Sequence, residues 1–323
     1  MLKRKLLSAS LLFLGTAMIL LSSCKKDDIT LTPGNNEYTL KQLFTYLKSA
    51  PQTLLVTAGT NQTVTGSKGT ILKFNPTSFK DASGNIISSG MVTIELIEMY
   101  TPGDMIANRV NTSTAAQQRL TSGGSVNIKA TMGGVEVFAN DYEIAFKQDA
   151  QKEAPMALFR GYELIDSTGT TVQWSDDTTG TVPRTTKLDT TQNFYYLFDS
   201  CTAFNWINCD YFYSAPSPKT DITVVLPDNT YDLSNTQVYV VFPGINSVTC
   251  LYSYDATAHS FKLGASSYYI PVGSQIHVVV ISAKNGNYYL AQQQNITVVN
   301  NHTVTLTPVT QPVTAIQALL NTL

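Results

Sequence analysis

The chain has 323 residues, 43% of them hydrophobic and only 14% charged, with 21 basic against 23 acidic side chains. That is enough for two or three compact units of ~100–200 residues, and with no basic excess it lacks the electrostatic footprint of a nucleic-acid binder. Its polarity comes instead from hydroxyls and amides, 42 threonines among them, and β-branched residues on that scale predict an all-β protein.

The first residues are a different material. Lys3, Arg4 and Lys5 precede an apolar run from Leu6 to Leu21 broken only by small residues. The run is shorter than the ~20 residues of a comfortable spanning helix and suits the core of a signal peptide. It ends in Leu21-Ser22-Ser23-Cys24, which resembles the lipobox of bacterial lipoproteins, whose cysteine is diacylated on sulfur and becomes the first mature residue. The resemblance implies a lipoprotein signal peptide over 1–23, lipidation at Cys24, and a diacylglyceryl anchor in the outer-membrane bilayer. The plainer alternative is an ordinary secretory signal that happens to end near a cysteine. Against it, cationic, apolar and small residues and the cysteine fall in the expected order.

Lys26, Asp27 and Asp28 follow the cysteine. They look like the export tag that sends some lipoproteins of two-membraned bacteria to the outer face, which implies surface exposure. A solvated tether with a few charges is the bland alternative. From Cys24 onward 18 basic residues stand against 23 acidic ones, a formal charge of about −5.

Residues 24–37 form a flexible tether, with Thr32-Pro33-Gly34 as turn and linker chemistry. The next unit, 38–150, begins with Leu40, Leu43, Phe44 and Leu47 at helical spacing. Thr39 and Gln42 fit a capping box, and Pro51 stops the run, so a short amphipathic helix is predicted over 39–49. It lacks a strongly basic face, so packing against the first sandwich is favoured over a membrane-surface role.

From about residue 53 the period becomes two. Val92–Leu96, Val126–Ala130 and Tyr142–Phe146 alternate, with Asp81–Asn85 and Met132-Gly133-Gly134 as turns. Alternation implies sheets with one buried face, and two such sheets make a sandwich. Gly69–Phe79, with its Asn75-Pro76 corner, together with Asp81–Asn85, Val92–Leu96 and Asp104-Met105-Ile106, resembles a module of uncharacterised bacterial surface lipoproteins that is itself similar to the ZU5-type β-sandwich. Trp206–Asp210 resembles a block that follows this module. The resemblance implies a fold and brings no catalytic residues.

Residues 151–218 read as an aromatic-rich connecting segment. Nine aromatics crowd into 194–213, where the chain average of 10% predicts two. Two readings stand. The aromatics clasp two sandwiches together as core, or, since successive strand residues face opposite sides, some form an exposed platform for a sugar or peptide. The platform candidates are Trp174, Tyr195, Trp206, Tyr211 and Tyr213. Cys201, Cys209 and Cys250 are candidates for one disulfide plus a free thiol, the pairing left open.

Residues 219–323 are expected to form a second sandwich, loosely similar to prealbumin-like accessory domains. Its strands are Thr223–Leu226, Val238–Phe242, His277–Ile281 and Thr303–Leu306, with an Asn285-Gly286 hairpin turn and a terminal helix from Val313 to Leu320.

The chemical motifs are mostly missing from the sequence. His259, His277 and His302 are too far apart for a local metal motif, so no metal or cofactor is expected. Gly59 to Lys68 has Ser67 and Lys68 in the wrong order for a phosphate loop. Glu95 and Glu98 must face opposite sides of their strand. Asp176-Asp177 lacks the spacing of a calcium loop. Asp166-Ser167-Thr168 resembles O-glycosylation triplets of envelope proteins, as do the triplets at 177 and 189. The fold expectation is therefore two antiparallel β-sandwiches. The functional expectation is a non-catalytic binding or scaffolding module for an envelope protein or glycan, with a hydrolase of extracellular polysaccharide or peptide, or a structural spacer, as alternatives.

Overall fold

The computed structural model describes residues 38–148, 156–175, 194–264 and 270–323. Among the described residues it is all-β with three short α-helices, and the strand pairs are antiparallel except for two. The predicted boundaries of the first helix hold closely. Helix α1 spans Leu40–Leu47, with Thr39 and Gln42 closing a reciprocal capping box and Leu40, Leu43, Phe44 and Leu47 buried. Its apolar face is therefore used for packing. Helix α2 (Pro102–Ala107) repeats the device with Thr101 and Asp104, and helix α3 spans Val313–Leu320.

The largest sheet has eight strands. Along its main path these are Gln52–Thr57, Met91–Met99, Leu120–Met132, Asn205–Phe212, Ala157–Asp166, Gly169–Trp174 and Val110–Thr114. A four-stranded sheet (Phe194–Cys201, Tyr142–Gln148, Ile71–Phe74, Gln62–Thr65) packs on one face. Between the two sheets lies a core that includes Val92, Ile94, Leu96, Val126, Ile128, Tyr142, Phe146, Tyr196, Phe198 and Ile207. Further along the chain, a five-stranded sheet built around Thr236–Phe242 and Gln275–Lys284 packs on a four-stranded sheet built around Ile222–Val225. That core holds Val238, Val240, Val278, Val280 and Phe261. Asn285 and Gly286 turn the Gln275–Lys284 hairpin at φ 50° and 70°, the left-handed pair that a type I′ turn requires.

Strand parity shows how these layers meet. On Thr236–Phe242 the even residues enter the last core, while Tyr239 and Val241 point the other way. On Met91–Met99 the even residues enter the first core, while Ile97 and Met99 point the other way. Both outward sets join one further cluster, with the apolar faces of all three helices between them. The central strands are thus buried on both faces, a pattern more usual in parallel sheets. Residues 37–323 form one compact unit.

This placement changes the meaning of the aromatic segment. Asn205–Phe212 runs between Leu120–Met132 and Ala157–Asp166 in the middle of the eight-stranded sheet, and Phe194–Cys201 belongs to the four-stranded sheet. Instead of connecting two sandwiches, the segment supplies strands to the first. Its aromatic density follows from strands that must fill a core on each side.

Candidate ligand-binding site

The residues expected to form an aromatic platform are dispersed. Trp174 and Trp206 are core, 0% and 3% exposed. Gly161 lies between them, and a Cβ there would come within 2.6 Å of the Trp174 ring and 2.7 Å of Trp206 Cβ. Each indole N–H is satisfied internally, Trp174 donating to the Asn111 carbonyl at 2.7 Å and Trp206 to Glu163 Oε1 at 2.9 Å. Tyr211 packs against the opposite core, and Tyr195 and Tyr213 are half-buried elsewhere. A flat stacking surface built from these five is excluded, because alternate residues of one strand serve different cores.

The disulfide expectation also fails here, since Cys201, Cys209 and Cys250 are free thiols. Cys201 and Cys209 lie in the first core, whereas Cys250 packs against the cluster on the other side of the sheet. Burial pushes the thiols of Cys201 and Cys250 up to about 12 and that of Cys209 well above its usual range. All three are poor nucleophiles. Cys24, Lys26, Asp27 and Asp28 lie outside the described residues, as do Asp176, Asp177 and the triplet at 189.

Other expected groups also prove structural. His277 lies in a strand and accepts from the Asn295 amide at 3.0 Å, and His302 accepts from Val299 at 3.1 Å. Glu95 is exposed and Glu98 is buried on the opposite face. The turn that failed as a phosphate loop cradles Glu98 instead. Its carboxylate accepts from the Lys68 and Thr70 amides and the Gln52 side chain, each at 2.8 Å. Gly66 leaves it room, because a Cβ there would stand 2.5 Å from the carboxylate. The anion-binding geometry of successive amides is present, but the anion is the protein's own.

Of the cavities described, two are lined by charged side chains. The larger, about 540 Å³, lies between the Asp81–Asn85 turn and the segment 128–139, with Phe138 and Phe204 in its wall. Asp81 and Glu136 both reach it. The Asp81 oxygens are held by its own turn, accepting from Ser83, Asn85 and the Asn85 side chain, and the Asn85 hydrogen bonds keep its carboxyl below the usual range. It is therefore unsuited to general-acid work.

The smaller cavity, about 340 Å³, lies under α1. One wall is α1 with its C-cap Lys48, so that Lys41, Thr45 and Lys48 follow one another at helical spacing. The floor is Arg109, just past α2, and the far wall is the turn 165–170 between Ala157–Asp166 and Gly169–Trp174. Arg109 is 4% exposed and left-handed at φ 55°. Its Nη1 donates to the Thr168 carbonyl at 2.6 Å and its Nη2 to Thr168 Oγ1 at 2.8 Å. Thr168, in the triplet resembling a glycosylation site, is consequently buried. The one acid lining this cavity, Asp166, is engaged by the amide and hydroxyl of Thr168 at 2.7 and 2.6 Å.

Reading the sequence missed this site, because its residues are scattered from 41 to 206 and form no local motif. The nearest signal was Lys41 and Lys48, seven apart on a helix whose other face is apolar. Comparison with protein-family models and with curated proteins returns no match.

Proposed function

We propose that this chain is a lipid-anchored protein of the outer membrane, exposed at the cell surface, whose β-sandwich body is a non-catalytic binding module for an envelope glycan. The anchor rests on the cationic, apolar and small-residue order that ends at Cys24. The observation that carries the binding reading is the cavity under α1. It is a concave, partly apolar site with several polar groups held on secondary structure. Its polar groups offer charge and hydrogen bonds but no paired nucleophile and base. Among the described residues, no group of three or more His, Cys, Asp or Glu could hold a metal ion. A glycan is favoured over a protein partner because the site is a pocket rather than an extended apolar patch.

Metabolic labelling of cells with a clickable palmitate analogue tests the anchor. The wild type should carry label and fractionate with the outer membrane, and Cys24→Ala should lose both. A labelled Cys24→Ala protein would sink the anchor. Binding is tested by presenting the detergent-solubilised full chain to an array of envelope glycans, where no retention of any glycan would sink the binding-module reading.

A further inference from the structure

We infer that the cavity under α1 receives the anionic group of an acidic saccharide, a uronate or a sugar phosphate. The inference rests on the binding-module reading and names the ligand class at that site. Lys41, Lys48 and Arg109 bring three cations to the cavity and Asp166 brings one anion, in a chain whose formal charge is −2. None of the three cations forms an ion pair with a described residue. Buried arginines are normally paired, because an uncompensated buried charge is strongly unfavourable.

Arg109 departs from that rule. It is 4% exposed, its hydrogen bonds go to Thr168, which meets the Asp166 carboxylate in its place, its charge-matching contact among the described residues is the face of Phe44 at 5.1 Å, and its Nε has no partner. It also holds a left-handed backbone that arginine rarely adopts, at φ 55°. A left-handed backbone and a guanidinium without a direct carboxylate partner, at the floor of a cavity, fit a site that takes an anionic group. The rest of the lining selects a sugar over a bare ion. Thr170 and the acceptor side of the Thr45 hydroxyl, which itself donates to the Lys41 carbonyl, offer partners for ring hydroxyls, and Phe44 and Trp206 supply apolar wall. At about 340 Å³ the cavity falls at the small end of ligand sites, of the order of 300–1,000 Å³.

Calorimetric titration of the detergent-solubilised full chain with galacturonic acid, glucose 6-phosphate, galactose and inorganic phosphate tests this. At least one acidic sugar should bind, more weakly as salt rises, and galactose and inorganic phosphate should bind about tenfold or more weakly. Which acidic sugar binds tighter identifies the carboxylate or the phosphate as the natural group. The double variant Lys41→Ala, Lys48→Ala changes only exposed side chains. It should weaken the acidic sugar about tenfold or more with an unchanged thermal midpoint. Three results would each overturn the proposal: galactose matching the acidic sugars, inorganic phosphate matching them (an ion site only), or the double variant binding as the wild type does. Capture of neutral glycans on the array with no acidic sugar bound here removes the ligand class and leaves the binding module standing.

Discussion

Replacing Asp210 with Asn should remove a steep pH dependence from the folding equilibrium. Asp210 is fully buried in the middle of the eight-stranded sheet. Its Oδ2 accepts from the Asn208 amide and its Oδ1 has no partner. Burial raises its carboxyl to about 8, more than its polar neighbours Ser122, Asn208 and Gly123 offset. In the unfolded chain the same group titrates near 3.8. Between those values the folded protein keeps a proton that the unfolded chain has released, so stability falls as pH rises, by about 1.4 kcal/mol per unit. From about pH 5 to about pH 8 the wild type should lose ~4 kcal/mol more than Asp210→Asn, and above that the difference should level off. Below about pH 3.8 the group is neutral in both the folded and the unfolded chain and accepts from Asn208 as the Asn side chain would, so there the two proteins should agree within ~1 kcal/mol. Urea unfolding at a series of pH values measures the difference, and titrations common to both proteins cancel. Parallel stability curves would refute the claim that folding holds Asp210 protonated.

Three other perturbations probe the same body. Gly161→Ala forces a methyl between Trp174 and Trp206 and should cost ~1–3 kcal/mol, read as a lower thermal midpoint with altered tryptophan fluorescence; an unchanged midpoint would show that the gap is wider than described. Glu98→Ala strips the acceptor from the Lys68 and Thr70 amides at ~1–3 kcal/mol for each donor left unpaired. Hydrogen exchange of residues 66–70 should accelerate accordingly, and protection equal to wild type would refute the cradle. A thiol reagent should find Cys201, Cys209 and Cys250 inert in the native protein and all three reactive after unfolding without reductant. Only one reactive thiol would mean that a bridge had formed.

Much of the fold was legible because its signals are local. A capping box needs only Thr39 and Gln42, a type I′ turn only Asn285 and Gly286, and an alternating strand only its own residues. Helix α3 and the strands around Val92, Val238 and His277 appear where periodicity placed them. Alternation gives the side of a strand but says nothing of what covers it. On Leu120–Met132 the alternation over Val126–Ala130 turns Asn127 away from the first core, yet Asn127 is buried, as is Ser125. Asn127 reaches Asn205 at 3.1 Å and Ser125 reaches Asn208 at 3.0 Å. A hydroxyl or amide can face water or a buried partner with the same sequence pattern, and only the third dimension decides.

The same ambiguity hid the site and created a false one. Nine aromatics in twenty residues left an exposed platform open beside the core reading, because a strand with one buried face cannot use them all; the core reading is the one that holds. A strand between two cores can, and the aromatic excess disappears as a functional clue. Charge gave no warning either, since Lys41, Lys48 and Arg109 are separated by turns and helices in a chain with no basic excess. Their convergence depends on Thr39 starting α1, on the left-handed Arg109 two residues past the end of α2, and on Thr168 turning back to meet the guanidinium. Each of these steps is local and weak as a motif. Together they place three cations around one cavity, where a matching anion would supply the direct ion pair that Arg109 lacks among the described residues.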